Sequence, residues 1–192
     1  MITKTVRAII LSLALFSLVA VSIAQTTYTI DPPHTHAYFR ASHLGISYTF
    51  GRFNEMDATL VYNPDDLAAS SMEFTILTES VDTNNERRNG HLVSPDFFDA
   101  AQFPTLSFVS KSITAAGENM FEVVGDLTIH GVTNEVTTMV EKTGEATNQD
   151  GSPLVGFYTE FDIDRTDYGM SNLLQAAGPD IKIMLSFEGI GQ

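Results

Sequence analysis

Acid outweighs base throughout this chain: 24 Asp+Glu stand against 10 Lys+Arg in 192 residues, a formal charge of −14. A surface of that sign repels phosphate backbones and anionic bilayers, so nucleic acids and anionic membrane surfaces are poor partners. Cysteine is absent, which removes thiol nucleophiles and disulfide staples together.

Residues 1–24 read as a secretory signal peptide. Lys4 and Arg7 give a positive start, Ala8 to Val21 an apolar run, and Ser22-Ile23-Ala24 a small-residue exit that places cleavage before Gln25. The run is short for a retained membrane span, and with no cysteine after it a lipid-modified anchor is excluded. Removing Lys4 and Arg7 leaves eight cations against 24 acids, a net charge of −16. The mature chain, 192 residues less 24, is long enough for one domain over 25–192, and its stability has to come from a core.

After the leader almost everything reads as strand. Alternation of apolar and polar residues runs through Phe39, Ala41 and His43, and through Met72, Phe74 and Ile76. The segment His91–Phe108 then changes character. Ser94 as N-cap, Pro95 at the first helical position and the pair Phe97-Phe98 predict a short helix pressing two phenylalanines onto the end of the strands. Pro104 stops it, and Leu106 and Phe108 open a new strand. The plainest strands follow: Phe121, Val123, Gly125, Leu127, Ile129; then Val155, Phe157, Thr159, Phe161, Ile163; then Ile181, Ile183, Leu185, Phe187. Turn signals at 63–66, 116–119, 131–134 and 148–151 separate them. About eight strands with one or two short helices predict an all-β fold, an antiparallel barrel or sandwich with up-and-down connections.

The faces opposite the apolar ones carry Glu73, Glu122, Asp126, Lys182 and Glu188, which argues against membrane insertion and turns the apolar side chains inward. The inward set mixes large residues (Phe39, Phe74, Phe108, Phe121, Phe187) with small ones (Ala41, Gly125). An eight-stranded barrel with such an interior is either filled or holds one small ligand, and the pattern leaves both readings open.

Reactive constellations are sparse. There is no G-x-S-x-G elbow, phosphate-cradling loop or dinucleotide fingerprint, and Asp82-Thr83-Asn84-Asn85-Glu86 reads as a turn rather than a calcium loop. His34 and His36 share a strand parity and could offer two imidazoles to a metal, with His91 or His130 as a third ligand. Barrel-end histidines bonded to backbone or to each other are the better reading, and no metal is expected. Arg165-Thr166-Asp167-Tyr168-Gly169 reads as a salt-bridged turn.

Taken together, Asp31-Pro32-Pro33-His34-Thr35, Phe39, His43-Leu44-Gly45, Gly51-Arg52-Phe53, Ser80-Val81-Asp82-Thr83, His91-Leu92, Ser94, Asp96-Phe97-Phe98-Asp99, Phe103-Pro104, Phe108, Gly125 to Thr133, and Asp164 to Gly169 resemble the YceI-like family of bacterial periplasmic proteins. The resemblance covers essentially the whole mature chain. It implies an eight-stranded lipocalin-like barrel in the periplasm that encloses a long polyisoprenoid or similar amphiphile, such as a polyprenyl diphosphate, an isoprenoid quinone or a fatty amide. Two departures bear on charge: Arg88-Asn89 stands where the family often has Arg-Asp, and Asn134 where a lysine commonly follows Gly-Val-Thr.

On this reading the ligand lies along Phe39, Phe74, Ile76, Phe108, Phe121, Leu127, Ile183 and Leu185, with His91, Leu92, Phe97 and Phe98 closing or shaping one end. No cofactor is required and no nucleic acid is expected, while an exposed apolar mouth is compatible with a homodimer. The competing reading is an enzyme that uses the barrel as a reaction chamber, with His43, His91 or His130 as acid or base. No nucleophile or carboxylate pair in the sequence supports it.

Overall fold

The computed structural model describes residues 25–192, so the leader assigned to residues 1–24 lies outside the described residues. Eleven strands alternate along the chain: β1 (Thr26–Ile30), β2 (His36–His43), β3 (Ser47–Phe53), β4 (Met56–Tyr62), β5 (Ser71–Leu77), β6 (Val81–Asp82), β7 (Thr105–Gly117), β8 (Met120–Ile129), β9 (Val132–Thr147), β10 (Pro153–Asp164) and β11 (Ala177–Gly191). Among the described residues one α-helix, α1 (Glu86–Leu92), interrupts them. All pairings are antiparallel, in the order β1-β4-β5-β7-β8-β9-β10-β11-β2-β3-β6, and β1 pairs again with β11. Eight strands, β1, β4, β5 and β7 to β11, therefore close into a barrel, as expected.

The connections depart from a simple meander. β7 to β11 follow one another around the barrel, but β2 and β3 form a hairpin that extends from β11 beyond the closed ring. The cause is local to Pro32–His34, a single 3-10 turn between β1 and β2. Prolines 32 and 33 have no N–H to give to a ladder, so the strand breaks there. β11 then pairs through Gly189–Gly191 with β1 and through its earlier residues with β2. The gap is stitched by Asp31 N–H to the Glu188 carbonyl at 2.8 Å and by Glu188 N–H to Thr35 Oγ1 at 3.1 Å.

Turn chemistry tightens one predicted loop. His130 and Gly131 both adopt left-handed backbone, φ +52° and +73°, which makes a two-residue hairpin whose twist matches the flanking strands. Val132, Thr133 and Asn134, read from sequence as turn, belong to β9.

The helix is displaced from its predicted place. Asn85, not Ser94, is the N-cap: its side chain accepts from Arg88 N–H at 3.0 Å. Ser94 turns its hydroxyl backwards instead, donating to the His91 carbonyl at 2.7 Å, and the chain from Ser94 to Phe98 is a succession of turns. The segment 82–86, read as a plain turn, supplies that cap and the first helical residue.

Two hydrophobic clusters line the interior. The first, at the closed end, packs Tyr28, Leu60, Tyr62, Phe121 and Phe157 around one another, with ring centroids 5.7 to 6.3 Å apart among Tyr62, Phe121 and Phe157. The second gathers Phe53, Leu106, Leu127, Ile129, Tyr168 and Met170 toward the other end. Phe108 touches both, its ring lying over Gly125 of β8. A Cβ at position 125 would meet that ring and would also come within 2.6 Å of the Val109 carbonyl oxygen, which is backbone and cannot swing away. Gly125→Ala is therefore expected to lower stability by about 1 to 3 kcal/mol, read as a shifted denaturant midpoint without a change in slope.

Candidate functional site

Two apolar chambers lie in the barrel, one after the other. The first leaves roughly 910 Å³ of unoccupied space, part of it open to solvent. The second leaves roughly 650 Å³, likewise partly open to solvent. Phe39, Phe53, Leu106, Ile129 and Ile183 belong to the walls of both and form the waist between them.

The strand periodicity explains most of this lining. Phe39 faces Gly51 on one side and Ile183 on the other in the ladder, so alternate residues of β2, β3 and β11 point inward at one level. Phe74, Ile76, Phe108, Leu127 and Leu185 line the first chamber; Phe39 and Ile183 line both; Leu92, Phe97 and Phe98 line the second. Two expected residues stand elsewhere. Phe121 is not in either wall, because its ring is consumed in packing against Tyr62 and Phe157 at the closed end. His91 points to the outside, with Nε2 at 3.0 Å from Asp96 Oδ2 and its ring edge-on to Phe97 at 5.0 Å. It braces Phe97 from behind.

Several wall residues were not singled out from sequence. Phe53, Leu106, Phe157 and Phe161 carried the inward parity of their strands, and parity alone could have found them. Arg165 and Met170 of the second chamber carried no such signal, since both follow the end of β10 in a turn.

Arg165 corrects the reading of its turn as salt-bridged. Its side chain is 3 % exposed and no carboxylate lies within ion-pair distance among the described residues. Instead Nε donates to the Gly178 carbonyl at 3.1 Å, Nη1 to Met170 at 2.6 Å, and Nη2 to Asn172 and Ala177 at 2.7 and 2.6 Å. Burial pushes its pKa down, partly offset by Asp164. The guanidinium ties 165–178 into one knot behind the second chamber, with its carbon 5.6 Å from the centre of the Phe97 ring. Arg165→Met would leave four carbonyls without their donor, and a loss of at least ~3 kcal/mol is expected in thermal or denaturant unfolding.

The histidines are dispersed. His34 does not join His36, because it sits in the 3-10 turn; its Nδ1 is 2.7 Å from Asp31 Oδ2 and 4.0 Å from Glu188 Oε1. These three groups are near enough to share an ion, but the Asp31 hydrogen bond accounts for their arrangement. His36 lies against Tyr38, His43 is exposed at the end of β2, and His130 Nδ1 faces the Tyr168 carbonyl at 3.2 Å. The hydrogen bond to Asp31, with the charges of Asp31 and Glu188, raises the His34 pKa above 6.5. The fold thus favours the imidazolium more than the unfolded chain does, so the contribution of this pair is complete below the ordinary histidine range and fades as pH rises through the elevated value. An NMR titration should find the His34 midpoint above that of a free histidine, and Asp31→Asn should lower it, leaving the smaller effect of the Glu188 charge.

The family's departures also find places. Asn89 accepts from Thr83 N–H at 2.9 Å and Thr83 Oγ1 at 2.6 Å while its amide donates to Asp82 at 3.2 Å, a donation a carboxylate could not make. Asn134 donates to the Asp167 carbonyl at 3.0 Å.

Against known proteins, the YceI-like domain matches residues 28–189. The chain belongs to the YceI-like family. Protein YceI of Escherichia coli O157:H7 is 35 % identical over 173 residues, 89 % of this chain and 90 % of that one. The crystal structure of the Campylobacter jejuni YceI protein superposes with a TM-score of 0.72 at 29 % identity, covering 79 % of this chain and 90 % of that one. A polyisoprenoid binding domain from Saccharophagus degradans, implicated in plant cell wall breakdown, shares the fold with a TM-score of 0.67 at 15 % identity, covering 86 % and 98 %. YceI-like barrels thus share this closed antiparallel architecture across low identity.

Proposed function

We propose that this YceI-like chain is a periplasmic binding or carrier protein that encloses the long apolar chain of an isoprenoid or similar amphiphile. The observation that carries the reading is the pair of chambers in series whose walls hold no histidine, lysine or carboxylate. At about 0.8 kcal/mol per buried CH₂, each five-carbon isoprene unit supplies roughly 4 kcal/mol of transfer free energy, so affinity needs no polar contact along the tail. The polyisoprenoid binding named for the Saccharophagus degradans domain accords with this ligand class. The leader-like residues 1–24 support export, and the periplasm is the compartment the family resemblance implies.

Charge around the chambers favours a neutral head group. A diphosphate asks for several converging cations. Arg165 alone stands in a chamber wall, and four of its N–H groups are already given to carbonyls. Arg87 and Arg88 lie on exposed turns of α1, where Arg88 bonds Thr83. A quinone or a fatty amide fits this wall better. The histidines proposed for acid–base chemistry, His43, His91 and His130, line neither chamber, which supports binding over catalysis.

Native mass spectrometry of protein purified from a periplasm, followed by denaturing extraction, should release a stoichiometric long-chain lipid. Phe74→Glu and Leu127→Asp each place a carboxylate on the first chamber's wall and are expected to abolish retention, with circular dichroism confirming the folded state. Folded variants that hold lipid as the parent does would refute this use of the barrel.

A further inference from the structure

One residue pair, Phe39 with Gly51 behind it, contributes to the waist between the chambers. Phe39 and Gly51 face each other across the β2–β3 ladder, and both point into the barrel. The Phe39 ring leans over Gly51 and occupies the volume a side chain there would need: a Cβ at 51 would overlap the far edge of the ring, and no backbone atom is among its nearest neighbours. Phe39 therefore lies against the β3 wall, packed on Phe53 with centroids 5.8 Å apart, because position 51 is glycine. Any larger residue at 51 must turn the ring away from β3. The remaining direction is the lumen, toward Leu106, Ile129 and Ile183 at the same level.

We infer that Phe39 and Gly51 act as the length-determining gate of the barrel: with the ring stowed over Gly51, one apolar chain can thread both chambers, so chains too long for a single chamber are admitted as well as short ones. This rests on the lipid-binding reading and names the ligand property that the pair reads. A chain that fits inside one chamber is indifferent to the waist; a chain that must pass it is not. Gly125 offers a contrast, since a Cβ there meets the Val109 backbone as well as a ring, so substitution at 125 strains the fold, whereas substitution at 51 displaces only the end of a side chain.

The test uses the mature protein, Gly51→Ala, and Gly51→Ala combined with Phe39→Leu, each checked for unchanged thermal unfolding. Farnesol serves as the short probe and solanesol as the long one, with retention read by native mass spectrometry. The parent should hold both. Gly51→Ala should hold farnesol as the parent does and lose solanesol by at least about tenfold, and the double variant should recover solanesol. Equal solanesol retention by the parent and Gly51→Ala overturns the gate, as does a loss of both probes together, which would report general damage to the lumen. A parent that takes up neither alcohol overturns the lipid-binding reading itself, and the gate with it.

Discussion

The whole architecture hangs on the double pairing of β11. Fifteen residues long, it gives its last three to β1, which closes the barrel, and most of the rest to β2, which carries the chain outward into a hairpin. A sheet closed in this way has no free edge along the ring, and every inward side chain is committed to a common interior. Because closure is made at one end and the hairpin departs at the other, the two ends of the interior are not equivalent. The closed end shuts on Tyr62, Phe121 and Phe157. The other is bounded by the β2–β3 hairpin, the turns after α1 and the Arg165 knot.

That asymmetry resolves whether the barrel is filled. It is filled at one end and hollow along the rest, and the difference comes from where large residues face small ones. At the closed end rings meet rings edge to face, one of the arrangements the ring quadrupoles favour, and leave little space between them. Farther along, Phe39 and Phe108 lean over Gly51 and Gly125, so their bulk is stowed against the wall instead of crossing the lumen. Aromatic content alone therefore says little about free volume; the partner across the ladder decides it.

The open end is held by polar chemistry that leaves almost no charge facing the cavity. A buried guanidinium without a carboxylate is costly unless its donors are satisfied, and Arg165 satisfies them with backbone carbonyls of Met170 and Asn172 in the connection after β10 and of Ala177 and Gly178 at the start of β11. The result is a rigid loop wall built without a hydrophobic core of its own. Leu92, Phe97 and Phe98 can then present carbon to the second chamber while His91 and Asp96 face solvent.

Period-two alternation determined the all-β class and the inward parity of Phe39, Phe74, Phe108, Leu127, Ile183 and Leu185, because that period is a property of the backbone and survives any tertiary context. Turn residues and strand count left a barrel or a sandwich open, and it was the family resemblance, from motifs kept in order along the chain, that pointed to the eight-stranded closed barrel. The helix was misplaced because Ser94-Pro95 and Asn85-Glu86 are both credible starts, and a hydroxyl free to bond either way chose His91 only once the loop was folded. Phe121 has the same parity as Leu127 yet packs into the closed end, since depth along a barrel is fixed by strand tilt and register and not by alternation. Arg165 looked salt-bridged for a similar reason: Asp164 and Asp167 adjoin it in sequence, but the fold brings carbonyls from residues 170–178 to its plane instead. Which side chains point inward was written in the chain; where along the interior each one falls, and what it meets there, was decided only by closure.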